Sequence, residues 1–194
     1  PIPTPIPTAT PSLTANDYVK LALEYRDAGN YSKAIEYMTN AINLDSNVSQ
    51  FYTNRGFIYD EYLEQYQNAK DDYTSAINLD STYAWTYEAR GTVNIKLGAY
   101  QEAIDDYNNA LELDPNDAII YNNRGVAYKR LGQYSKALED YNKAIQLDPA
   151  YETAINNRQE LLDSGVLATP TSTPVPTATN TPTPSPTPTP IFDL

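Results

Sequence analysis

The segment YNNRGVAYKRLGQYSKALEDYNKAIQLDP, residues 121–149, aligns without a gap on YEARGTVNIKLGAYQEAIDDYNNALELDP, residues 87–115, at an offset of 34. Self-similarity at such a period marks a repeat architecture. The same frame fits YVKLALEYRDAGNYSKAIEYMTNAINLDS (18–46) directly. It fits YTNRGFIYDEYLEQYQNAKDDYTSAINLDS (52–81) once one residue is inserted near Tyr62 to Gln65. Four repeats result, 15–48, 49–83, 84–117 and 118–151. Each holds two amphipathic segments of about a dozen residues around a short turn, with Gly29, Gly98 or Gly132 in three of the four turns. Glycine there supplies the positive φ that ends a helix at little cost. In the second segment Ala137, Tyr141, Ala144 and Ile145 share one helical face. Asp114-Pro115 and Asp148-Pro149 close that helix, because a prolyl nitrogen donates no backbone bond. The chain reads as all-α.

These residues resemble the tetratricopeptide repeat. The family's aromatic, small residue, Tyr, Ala, aromatic, Ala and Pro are met in the fourth repeat by Tyr121, Gly125, Tyr128, Ala137, Tyr141, Ala144 and Pro149. Asn94 replaces the Tyr in the third repeat, Ala22 and Met38 take the small and second aromatic positions in the first, and Ser46 and Ser81 stand for Pro. The stretch ETAINNRQELLDSG (152–165) begins like another first helix and stops at Gly165, so 152–167 is expected to be a capping helix, giving nine helices. The resemblance implies a right-handed superhelical α-solenoid, with Gly56, Gly91, Gly125 and Ala144 letting helices approach closely. The extra residue in the second repeat is expected to lengthen its turn or bulge its first helix.

Around this block the composition changes abruptly. The first sixteen residues carry no charge and the last thirty carry only Asp193, whereas all 18 tyrosines and the single Trp85 lie in the centre. Residues 1–14 and 168–194 are therefore expected to be tails that bury no core. Their alternating prolines favour extended polyproline II. The chain starts at Pro1 without Met, so it is expected to be a processed product or a piece of a precursor, its signal peptide removed. A net charge of −12 without a Lys/Arg cluster argues against nucleic acid or an anionic membrane surface as partner, and no apolar run is long enough to be inserted in a bilayer. With no Cys, disulfides and thiol chemistry are excluded.

Catalysis finds no support: there is no His, no Cys and no phosphate-cradling glycine loop. No cofactor or metal is expected either, since no calcium loop is present. The pairs Asp71-Asp72 and Asp105-Asp106 read as a solvated helix face, because adjacent helical residues diverge by about 100°. Fourteen tyrosines recur at four repeat positions and read as packing; Tyr37, Tyr62, Tyr83, Tyr151 and Trp85 are left as candidate contacts. In the family the first helices line a concave groove, which implies groove contacts at Asn54, Phe57, Trp85, Asn122, Asn123, Lys129 and Arg130. Asn54, Asn123 and Asn157 are suited to bridging a bound backbone, since an amide both donates and accepts. Family members that clamp a terminal carboxylate do so with a Lys and an Arg at positions held here by Trp85 and Ala89, so that clamp is not implied.

The Thr/Pro tails carry candidate O-glycosylation at Thr4, Thr8, Thr10, Thr171, Thr173, Thr177, Thr181, Thr183, Thr187 and Thr189. Asn30 and Asn47 begin N-glycosylation triplets. Ile2, Ile6, Ile191, Phe192 and Leu194 are candidate inter-subunit anchors. The leading expectation is a non-enzymatic structural subunit of an extracellular fibre, with copies joined head-to-tail and glycan-bearing Thr/Pro segments bridging them. The alternative is a scaffold tethered at the cell envelope that binds extended peptide segments of partner proteins.

Overall fold

The computed structural model describes residues 13–167, and among them the structure is all helical. Four helix pairs follow one another: α1 (Ala15–Asp27) with α2 (Tyr31–Leu44), α3 (Ser49–Glu61) with α4 (Tyr66–Leu79), α5 (Ala84–Lys96) with α6 (Tyr100–Leu113), and α7 (Ala118–Arg130) with α8 (Tyr134–Leu147). A last helix, α9 (Glu152–Asp163), packs on α8 and touches α7. The first helices α3, α5, α7 and α9 each also touch the next of the set, so they form the inner layer of an α-solenoid.

Local chemistry explains the bounds. Thr14 and Asp17 form a reciprocal capping box at the start of α1. Asp117 accepts from the backbone N–H groups of Ile119 and Ile120 at the start of α7. Three turns between paired helices use a glycine of positive φ, 76° at Gly29, 77° at Gly98 and 72° at Gly132. In the second repeat Glu64 takes that role at φ 51°. The closing backbone bond always lands on the same repeat position: Asn30 to Tyr25, Gln65 to Tyr59, Ala99 to Asn94 and Gln133 to Tyr128. Only Gln65 spans one residue more, so the insertion lengthens the turn and leaves α3 unbulged.

The core is thin and layered. Tyr73, Tyr107 and Tyr141 are at most 1% exposed, and each ring faces a glycine of its partner helix, Gly56, Gly91 and Gly125. Burial pushes all three phenols up, Tyr141 to about 12. These phenols therefore stay neutral in the fold after the unfolded chain ionises near pH 10.0. Their stabilisation is complete below that value and is lost as pH rises toward 12. We expect helicity to fall between pH 10 and 12, with the last tyrosines of the absorbance titration ionising only as helix is lost; a complete titration with helix intact would contradict this burial.

One reading of the sequence is corrected. Asp71 and Asp105 are exposed, but Asp72 and Asp106, together with Asp140, are buried to 5%, 3% and 5%. Asp72 accepts two guanidinium bonds from Arg55 at 2.8 and 2.7 Å, Asp140 two from Arg124 at 2.8 and 2.7 Å, and Asp106 one from Arg90 Nη2 at 2.6 Å plus an Nε bond shared between both oxygens at 3.1 Å. The third arginine nitrogen reaches back to the preceding repeat, to Thr39, Thr74 and Asn108 respectively. A polar ladder thus runs through the stack. Burial raises the three carboxyls, and the facing guanidinium pulls back against it. Asn94 donates a further bond to Asp106 at 2.9 Å, which explains an amide where the family has a tyrosine. In the first repeat Leu21 and Tyr37 hold the Arg and Asp positions, and Tyr37 stacks on Tyr18 and Tyr25 as packing rather than as a contact surface.

Candidate groove of the inner layer

The inner helices enclose a trough of three successive chambers. Ser49, Gln50, Thr53, Asn54 and Phe57 of α3 face Tyr83, Trp85 and Thr86 across a cavity of about 340 Å³. Phe57 and Trp85 continue into a second chamber of about 270 Å³ with Asp60, Glu61, Tyr73, Glu88 and Asn123. A third, about 510 Å³, lies between α7 and α9, lined by Val126, Lys129, Arg130, Tyr141, Asn157 and Val166 among others.

Trp85 marks the first junction. It is 46% exposed and Tyr83 58% exposed, although the Trp85 ring is held by Phe57 at 6.3 Å and by the edge of Tyr73 at 6.1 Å. Large apolar surface left open inside a concavity marks a binding site more strongly than the same surface on a convex face. Tyr62 stacks on Tyr31 at 4.5 Å and meets Phe57 edge-on, so it buttresses the first chamber.

The middle chamber is acidic. Asp60 is buried and bonded by Lys96 at 2.7 Å, and Glu61 lies 3.7 Å from the same amine. Among the described residues Glu88 bonds the Asn123 amide alone, at 3.5 Å. Burial, then the neighbouring Asp117, pushes its carboxyl up. One cation, Lys96, thus serves Asp60 and Glu61, and Glu88 is paired with no cation among the described residues.

The sequence-expected contacts divide. Asn54, Phe57, Trp85 and Asn123 line the first two chambers, and Lys129 and Arg130 the third. Lys129 is paired with Glu160 at 2.7 Å. Asn122 lines none of the three chambers: it is 3% exposed, donates to Asn123 and accepts from Asn157 at 2.8 Å, tying α7 to α9. Asn30 and Asn47 lie on exposed turns, Asn30 capping α2. Thr4, Thr8, Thr10, Thr171, Thr173, Thr177, Thr181, Thr183, Thr187, Thr189, Ile2, Ile6, Ile191, Phe192 and Leu194 lie outside the described residues. Sequence reading missed the Tyr73 and Tyr141 hydroxyls on the trough floor, since both tyrosines read as plain core. Among the described residues no cluster of metal-ligating side chains occurs, and no helix is long and apolar enough to cross a membrane.

Comparison with known families agrees with this geometry. Residues 18–48, 49–83 and 118–151 match tetratricopeptide repeat families, and 93–132 match a TPR repeat family. The helical block is an array of tetratricopeptide repeats. None of the matched families is an enzyme family. No curated protein matches the chain. Among solved structures, a crystal structure of MamA superposes with TM-score 0.70 at 23% identity, covering 79% of this chain and 90% of that one. The Arabidopsis OM64 TPR domain gives 0.57 at 28% identity, over 59% and 94%. The first TPR of Spaghetti (RPAP3), solved bound to the HSP90 peptide SRMEEVD, gives 0.60 at 25% identity, over 64% and 97%.

Proposed function

We propose that this TPR protein is a non-catalytic scaffold whose inner trough binds extended, uncharged peptide segments of partner proteins, with the Thr/Pro segments as tethers at the cell envelope. The carrying observation is Trp85, open to the trough beside Tyr83 and Phe57 and followed by a chamber in which carboxylates outnumber cations. Aromatic faces and amides hold a strand without demanding charge, whereas Asp60, Glu61 and Glu88 oppose an acidic one. Support for peptide recognition comes from the Spaghetti repeat with its bound peptide; the acidic chamber points to a different peptide chemistry here.

Calorimetric titration of the full chain with the peptide TPTPSPTPTP tests this. Trp85→Ala is expected to weaken binding by about tenfold or more, the effect of truncating an aromatic anchor, with helicity unchanged. Equal binding by the variant, or none by the parent at peptide concentrations above the millimolar range, overturns the reading.

A second reading, the extracellular head-to-tail fibre with O-glycosylated segments as bridges, draws on the last rung of the ladder. Arg158 reaches Asn142 as its equivalents reach theirs, but its buried Nε has no partner. An acidic residue from a next copy would complete the rung. Sedimentation would then show particles that grow with concentration, and native subunits would weigh more than the bare 21.6 kDa; a monomer of bare mass rejects it.

A further inference from the structure

We propose that the chain's own Thr/Pro segment, residues 168–190, turns back into the trough and occupies it in cis. This rests on the peptide-binding reading and names the occupant. The direction of exit is the first support. Gly165 adopts φ 70° after α9, and Val166 and Leu167 then pack against the cluster of Ala137, Tyr141 and Leu161. Val166 thereby lines the third chamber, so the described chain ends beside that chamber.

The second support lies on the floor. The hydroxyls of Tyr73 and Tyr141 are buried with no hydrogen-bond partner, and these residues line the second and third chambers. The equivalent Tyr107 hydroxyl is satisfied by Thr92 at 3.1 Å. A buried hydroxyl left unpaired is costly, and both phenols are O–H groups in need of an acceptor. A Pro-rich strand is their complement: it lacks N–H groups at its prolines but keeps every carbonyl, and polyproline II leaves those carbonyls unbonded. Each phenol donates to one carbonyl, while prolines lie on Trp85.

Dimensions and charge agree. Tyr73 and Tyr141 lie two repeats apart, on α4 and α8, within reach of a strand that advances about 3.1 Å per residue. As polyproline II, residues 168–190 would reach about 70 Å. No charge occurs from Gly165 to Phe192, so the segment meets Asp60, Glu61 and Glu88 without repulsion.

The absence of cysteine and the single tryptophan make a direct test. Thr177→Cys in the full chain carries one nitroxide, and the indole N–H of Trp85 gives one resonance. Docking in cis broadens that resonance to the same degree over roughly a tenfold range of protein concentration. Free TPTPSPTPTP above the roughly millimolar effective concentration of a short tether restores it. In the Tyr73→Phe/Tyr141→Phe variant, which keeps ring volume, most of the intensity is expected to return; unchanged broadening contradicts the assigned hydrogen bonds. A line that stays sharp, broadening that grows with concentration, or broadening that peptide does not relieve overturns the proposal. A sharp line in the labelled chain with a peptide-induced indole shift in the unlabelled chain sinks self-docking alone, and no shift in either sinks the peptide-binding reading too.

Discussion

Asp106→Ala is expected to destabilise the protein by about 3–5 kcal/mol in urea unfolding, the usual result of removing one partner from a buried ion pair. Asp106 is 3% exposed and accepts from Arg90 and from Asn94. Its removal strands a buried amide and a guanidinium that is only 19% exposed. Arg90 also bonds Thr74 of the preceding repeat, so the damage falls on a repeat-to-repeat interface, the term on which solenoid stability depends. Asp105→Ala, one residue away and exposed, is expected to cost no more than about 0.5 kcal/mol. Replacing both members by apolar side chains, Arg90→Met with Asp106→Leu, should recover much of the loss, because the desolvation of both charges goes with them. Equal effects of Asp105→Ala and Asp106→Ala would show that the ladder is not holding the repeats.

Gly125→Val is expected to cost about 3 kcal/mol, the upper part of the range for overpacking a well-filled core. A Cβ at Gly125 falls 2.7 Å from Cε1 and 2.8 Å from Cδ1 of Tyr141, and 3.3 Å from the backbone oxygen of Ala137. Tyr141 is fully buried against Ala137 and Leu161, so its ring must be pushed toward the third chamber to admit the new methyls. The same test grades the stack. The nearest atom to a Cβ at Gly56 is 3.1 Å away, against 2.8 Å at Gly91, so Gly56→Ala should be the mildest of the three alanine variants. Thermal unfolding reads the order; a flat series would contradict the tight glycine–tyrosine contacts.

The pairing of helices was legible because the same positions recur from repeat to repeat: a turn glycine in three of the four and a tyrosine opposite a glycine in the last three. Even the insertion near Tyr62 was legible as a break in phase, and its accommodation by Glu64 follows from the one turn that lacks glycine. The ladder was harder. Asp71-Asp72 looks like a solvated pair in one dimension, and only the recurrence of Arg55, Arg90, Arg124 and Arg158 in register with Asp72, Asp106 and Asp140 signals the partner. Trp85 could be placed on the inner face from its repeat position. Asn122 could not be separated from Asn123, because one residue of offset decides between an amide tying α7 to α9 and an amide open to the trough. The unpartnered Tyr73 and Tyr141 hydroxyls carry no signal in sequence, since the same position in α6 finds Thr92.

The most direct test of the trough's chemistry is the Trp85 indole resonance of the full chain carrying the Thr177→Cys nitroxide, followed during two titrations. One uses TPTPSPTPTP and the other SRMEEVD, the acidic peptide held by the Spaghetti repeat. A saturable change with the neutral peptide and none with the acidic one is the predicted result. Saturation by SRMEEVD at equal or lower concentration would contradict it.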